Sequence, residues 1–315
     1  MPPHQDLPPS PEDPFDADRV HGPRPTTHVP RPRRWRRRNE DPAAALIGRT
    51  QAPLSRSRRI VVASRKGGVG KTSVALMLGH TFAARRLDRV VAVDGDPDGG
   101  TLAHRVARED ALHIGDLLEA MRDVHGYTSI RRFTVGTPSG LEVLATPADP
   151  DASRTYHTAE YLRILAKLNG SYGLILLDTG TGVLDNVTAG ILEAADQLVL
   201  VSGPGSDEAR AANQTLDWLD EQGAGQLVAG AVTVLNTTWP LDGVDLEPVA
   251  AHFATRTRAV VRLPFDAHLA QGGVADPLRL AELTRRAFLE LAATVADGFD
   301  LDSPRRTGPP SSGQA

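Results

Sequence analysis

Ser64-Arg65-Lys66-Gly67-Gly68-Val69-Gly70-Lys71-Thr72-Ser73 constrains this chain more than any other segment, because two of its three lysines stand there while arginine fills nearly every other basic position. An ammonium is a compact point charge that sits among phosphate oxygens in a cradle too tight for a planar guanidinium. The glycines let backbone N–H groups turn inward, and a helix starting near Gly70 adds the positive end of its dipole. The flanks supply the required context. Ile60-Val61-Val62-Ala63 reads as a buried parallel strand, and residues 73–86, with Val74, Leu76, Met77, Leu78 and Phe82, read as a packed helix. Strand, glycine-rich loop and helix together form a phosphate site, in which Lys71 reaches the β- and γ-phosphates and the Thr72 hydroxyl takes a position on Mg²⁺.

The usual spelling GxxxxGK[ST] fails at its first position, where Arg65 stands. With Lys66 next, the segment resembles the deviant Walker A motif, KGGxGK[TS], of the MinD and ParA superfamily. The resemblance implies a P-loop α/β fold, a doubly wound and mostly parallel sheet with helices on both faces. It also implies ATP and Mg²⁺ as ligands, bound through Gly67, Gly68, Val69, Gly70, Lys71, Thr72 and Ser73. Lys66 would reach across an ATP-dependent homodimer to the partner's phosphates, and Lys66, Lys71 and Asp96 would form the catalytic set.

Two further apolar runs end in acids. Val90-Val91-Ala92-Val93 leads into Asp94-Gly95-Asp96-Pro97-Asp98-Gly99-Gly100, and Leu174-Ile175-Leu176-Leu177 leads into Asp178-Thr179-Gly180-Thr181-Gly182. Parallel sheets place their chemistry at the carboxyl ends of strands. In the family, the first segment matches the DxDPQ-type stretch, with Asp94 and Asp96 near Mg²⁺ and Asp96 orienting the attacking water. The second matches Walker B, with Asp178 holding a metal-bound water. Asp98 reads as a turn or cap residue, and the Thr and Gly residues after Asp178 permit a loop that changes shape when the γ-phosphate leaves. Ala231-Val232-Thr233-Val234-Leu235 ends at Asn236, where the family carries an asparagine that pairs with the adenine edge. Leu263-Pro264-Phe265-Asp266 falls where a family loop packs against the base.

The absence of cysteine excludes the iron–sulfur and thiolate-dependent branches of the superfamily. The C-terminal stretch lacks the tyrosine cluster of the bacterial tyrosine kinases that share the loop. No segment is apolar enough to span a membrane and no signal-peptide core opens the chain, so a cytoplasmic location is expected, peripheral to membrane or nucleoid through partners. Residues 1–57 are rich in Pro and Arg and are expected to form a disordered arm. Their ten arginines against seven acids leave about −7 for the remainder of a chain whose net charge is −4. Arg31, Arg33, Arg34, Arg36, Arg37 and Arg38 crowd around Trp35, a pattern suited to DNA, an anionic surface or an acidic protein.

Residues 58–299 alternate apolar runs with amphipathic segments and read as one ATPase domain, with 300–315 a disordered tail. A hairpin is expected through 133–135 and 141–145, strands near 198–201 and 259–263, and helices near 159–168, 206–221 and 277–296. The last helix, with Leu280, Leu283, Phe288, Leu291 and Val295, is expected to pack on the core rather than on a membrane. Several segments resemble most closely the actinobacterial MinD-like ATPases, including those associated with type VII (ESX) secretion. The resemblance implies a slow, partner-stimulated ATPase switch controlling localisation or assembly of an unidentified protein partner. The alternatives are a partitioning ATPase that binds DNA and a nucleotide-gated adaptor with little hydrolysis.

Overall fold

The computed structural model describes residues 41–96, 102–106, 112–146, 156–181, 186–241 and 245–300. The arginine block at 31–38 with Trp35, Asp98, Gly182 and the tail from residue 301 lie outside the described residues. In chain order the elements are α1 (Pro42–Thr50), β1 (Arg58–Ala63), α2 (Lys71–Ala83), β2 (Val90–Gly95), α3 (Leu102–Arg105), α4 (Ile114–Glu119) and α5 (Gly126–Ile130). A hairpin of β3 (Val135–Gly136) and β4 (Leu141–Leu144) follows, then α6 (Thr158–Leu168), β5 (Leu174–Thr179), α7 (Asn186–Glu193), β6 (Gln197–Ser202), α8 (Ser206–Glu221) and α9 (Gly225–Ala229). The chain continues through β7 (Val232–Asn236), α10 (Glu247–Ala254), β8 (Ala259–Leu263), α11 (Ala267–Ala270) and α12 (Glu282–Ala296).

The eight strands form one sheet in the order β3-β4-β2-β5-β1-β6-β7-β8, parallel throughout except for β3 against β4. The central strands are unbroken apolar runs because both faces are covered. Alternate residues divide between two cores. Val61, Val91, Ile175 and Leu198 meet Leu117, Ile164 and Leu216 on one face, while Ile60, Val62, Leu176 and Val199 meet Leu76, Leu78, Phe288 and Leu291 on the other. The expected strands, hairpin and helices are all present. Helix α12 buries Phe288, Leu291 and Val295 in the second core, whereas Leu283 is exposed.

The arm expected to run to residue 57 is structured over part of its length. Asp41 accepts from the Ala43 N–H at 3.0 Å and Pro42 opens the first turn, so α1 carries a capped start. It packs on α12 and is tied down twice. Arg49 makes a two-point contact with Asp297 at 3.1 and 2.6 Å, and the buried Arg86 guanidinium donates to the carbonyls of Thr50 at 2.6 Å and Ala52 at 2.8 Å. The alanine-rich run after Asp41 is a good helix former that the Pro- and Arg-rich average of residues 1–57 conceals.

Two stability predictions follow from these contacts. A chain starting at Asp41 should melt with the full-length protein. One starting at Leu54 should lose about 2–3 kcal/mol, measured by denaturant unfolding, because Arg86 is left buried without its carbonyl partners. The second concerns His80 on α2, whose Nδ1 lies 2.7 Å from Ser139 Oγ and whose Nε2 is buried without a partner; burial lowers its pKa to about 4. The neutral ring is favoured in the fold. Its contribution is therefore complete above the unfolded value near 6.5 and is lost as pH falls toward 4, about 2 kcal/mol by about pH 5. Thermal melts of His80→Gln should show a correspondingly flatter acid limb.

Candidate functional site

The site sits at the carboxyl edge of β1, β2 and β5, and strand register assembles it. Val62 pairs with Asp178 and Asp178 pairs with Asp94, so the loop leaving β1 passes beside both acids. The loop turns through Gly68 at φ +80° and Gly70 at φ +87°, conformations that side chains with a Cβ resist. Gly70 is further constrained because a Cβ there would lie 2.4 Å from Asn236 Nδ2. That amide donates to the Val69 carbonyl at 2.7 Å, so Asn236 supports the loop from the end of β7.

The two lysines differ in setting. Lys66, Gly67 and Gly68 are exposed, whereas Lys71 is partly buried at the start of α2. Burial holds the Lys71 ammonium below the usual lysine range, against the opposing fields of Asp178 and Asp96. Thr72 hydrogen-bonds the Asp178 side chain. Asp94 is fully buried, accepting from Thr146 Oγ1 at 3.0 Å and from the Asp96 N–H at 3.3 Å. Burial first, then the neighbouring Asp178, pushes Asp94 up to about 7. Burial likewise pushes Asp178 up to about 7, although the Thr72 bond and Lys71 pull it down. Asp96 lies against Gly180, where a Cβ would come within 2.7 Å of its Oδ1.

These residues fit a divalent cation bound with a phosphate chain. Asp178 Oδ1 is buried and makes no hydrogen bond, and it belongs to the carboxylate that holds the Thr72 hydroxyl. Among the described residues no group of three or more His or acidic side chains forms an all-protein metal cage. Mg²⁺ beside phosphates characteristically takes one or two protein oxygens and completes its shell with phosphate and water.

A cleft of about 480 Å³ opens beside the loop, within the range of small-molecule sites (about 300–1,000 Å³). Gly67 to Gly70 and Ser73 line it with Asn236 beside the loop, and Trp239, Pro264, Asp266 and Leu269 also line it. Asp266 contributes through its caps, accepting from the N–H groups of His268 at 2.9 Å and Ala281 at 3.0 Å and so fixing the turn that carries Leu269. Sequence reasoning missed Arg105 and Trp239. Trp239 follows a recognised strand and is 45% exposed in a cleft, a signal that was available. Arg105 carries no local signal.

Residues 60–255 match the family model described as the CobQ/CobB/MinD/ParA nucleotide binding domain. The ESX-1 secretion-associated protein EspI of Mycobacterium tuberculosis is 35% identical over 247 residues, which take in 78% of this chain; the match spans only 37% of EspI. Among solved structures, a ParA family ATPase from Chlorobium tepidum TLS superposes with a TM-score of 0.64 at 18% identity, covering 75% of this chain and 98% of that one. The septum site-determining protein MinD from Pyrococcus horikoshii, solved with Mg-ADP, gives 0.58 at 22% identity over 75% and 94% of the two chains. Those two likenesses concern the fold.

Gly180→Ala tests the contact beneath Asp96. Moving the carboxylate should lower any ATP turnover about tenfold or more while nucleotide affinity stays within about threefold of the parent, as steady-state kinetics and ligand titration would read it.

Proposed function

Because this chain belongs to the CobQ/CobB/MinD/ParA nucleotide-binding family, we propose that it is an ATPase switch whose ATP-bound form is a homodimer read by a protein partner. The observation that carries this reading is the separation of the two loop lysines. Lys71 lies in the field of Asp178 and Asp96, while Lys66 stays exposed on the same loop and adds a cation available to a second copy.

The loop N–H groups and Lys71 bind the β- and γ-phosphates, and the Thr72 hydroxyl and Asp178 hold Mg²⁺, directly or through water. Bound there, Mg²⁺ supplies charge neutralisation to the phosphate oxygens. Asp94 steadies Asp96 through the Asp96 N–H. Asp96 orients the attacking water and accepts its hydrogen bond. Lys66 of the second copy adds positive charge at the γ-phosphate, so full catalysis requires the closed pair. Phosphoryl transfer depends mainly on such positioning and charge stabilisation, and turnover set by dimer closure is slow. Asn236 holds the loop through Val69 and keeps its carbonyl oxygen for the base edge.

The similarity to EspI favours a partner associated with type VII secretion, with the chain acting in the cytoplasm and peripheral to the membrane through that partner. Among the described residues no helix is long and apolar enough to cross a membrane. The arginine block at 31–38 supports a second reading, in which the cargo is DNA. DNA affinity that falls steeply with salt and disappears on removal of residues 1–40 would favour partitioning over secretion.

Light scattering of the protein with Mg-ATP and with Mg-ADP tests the switch. A dimer is expected only with ATP and should be lost in Lys66→Ala. A monomer in every condition would count against it and favour an adaptor with little hydrolysis.

A further inference from the structure

Arg105, at the end of the four-residue α3, bridges two parts of the cleft. One terminal nitrogen donates to Ser73 Oγ at 2.8 Å in the first turn of α2, and the other donates to the Gly273 carbonyl at 2.9 Å. The Arg105 carbonyl in turn accepts from the Ala275 N–H at 2.9 Å, so the backbone and side chain together secure the 272–275 turn. Ser73, Arg105 and Gly272 all line the cleft. Both side-chain acceptors are neutral oxygens. No carboxylate among the described residues pairs with this guanidinium at ion-pair distance, although the residue is partly buried. Asp178 acts on this cation through space, but burial outweighs that field; a partly desolvated guanidinium in a ligand cleft, hydrogen-bonded only to neutral groups, is incompletely compensated, and the ligand class that compensates it is an anion.

Its position narrows the anion. Lys71 and the glycine turn serve the distal phosphates beside Asp96 and Asp178. Arg105 lies between Ser73 and the turn next to Leu269, hence between the phosphate end and the wall formed by Pro264, Asp266 and Leu269. That interval suits the phosphate of a nucleotide nearest its sugar, given the distal phosphates at Lys71. A guanidinium presents paired donors that suit two phosphate oxygens, which an ammonium matches only as a point charge. We propose that Arg105 binds the α-phosphate of the nucleotide and, through Gly273, fixes the base-side turn at the same time. The inference rests on the ATP reading above and adds a ligand from outside the phosphate loop.

Titration of fluorescent ADP and ATP, and of adenosine by competition, into the full-length protein and its Arg105→Ala and Arg105→Lys variants tests it. Arg105→Ala should weaken ADP and ATP alike, by about 10- to 100-fold, with Arg105→Lys intermediate and adenosine changed by less than about threefold. Circular dichroism and melting of each variant identify any loss of fold, and Arg105→Lys carries the test if the alanine variant does not fold. Equal losses for adenosine and ADP would make Arg105 a structural tether for the 272–275 turn and overturn the proposal. A loss confined to ATP would overturn it by placing the guanidinium at the γ-phosphate. ADP affinity unchanged in both variants would also overturn it, leaving the ATP reading intact. A parent protein that binds neither ADP nor ATP would remove that reading and this inference together.

Discussion

Everything at the site depends on the pairing of β5 with β1 on one side and β2 on the other. That register sets Asp178 next to Val62 and Asp94 next to Asp178, at the edge where β1 gives way to the glycine loop. Two carboxylates buried at a sheet edge are poorly solvated, which pushes both up to about 7, with Asp178 adding to the shift on Asp94 and Asp96 adding to that on Asp178. Lys71 and Thr72 pull Asp178 the other way. The fold therefore gathers groups that a phosphate chain and a divalent cation would bring into balance, and it spends stability to keep them together.

The same loop places its two lysines in different environments, and the difference is physical before it is functional. Lys71 begins α2, whose first turn packs into the core, so its ammonium is held near Asp96 and Asp178. Lys66 stands before the glycines on a stretch that no element covers. Its neighbour Arg65 donates to Gln214 on α8 at 3.1 Å, which ties the start of the loop to the helix after β6. Arg65, the residue that breaks the usual motif spelling, thus has a structural contact of its own, and the turn still forms because the required positive φ values fall at Gly68 and Gly70.

The fold was legible wherever burial leaves a mark on the chain. Strands covered on both faces are written as continuous apolar runs, and the acids closing two of those runs stand out against the four apolar residues before each of them. The antiparallel hairpin at the sheet edge was legible for the same reason, through Leu141 and Val143. Helix α1 was not, because composition averaged over a long arm hides a short capped segment whose stability comes from Arg86, Asp297 and the face of α12. Asn236 was found by position, but its bond to Val69 joins residues far apart in sequence, and no local pattern encodes it. Arg105 is harder still. In an arginine-rich chain one more arginine carries no information until the fold brings it to Ser73 and Gly273.

The α1–α12 contact also bears on how the molecule meets its surroundings. A C-terminal amphipathic helix in this superfamily invites comparison with a membrane-binding element. Here Phe288, Leu291 and Val295 of α12 are buried in the second core, and α12 packs on α2, β8 and α1. Lifting α12 to a bilayer would expose Phe288, Leu291 and Val295, break the Arg49–Asp297 pair, and open the buried Arg86 site at once. Each of those losses opposes bilayer contact by α12, so any surface association has to come from elsewhere in the chain or through a partner. The segment before Asp41, with its arginines around a tryptophan, has the composition for that contact.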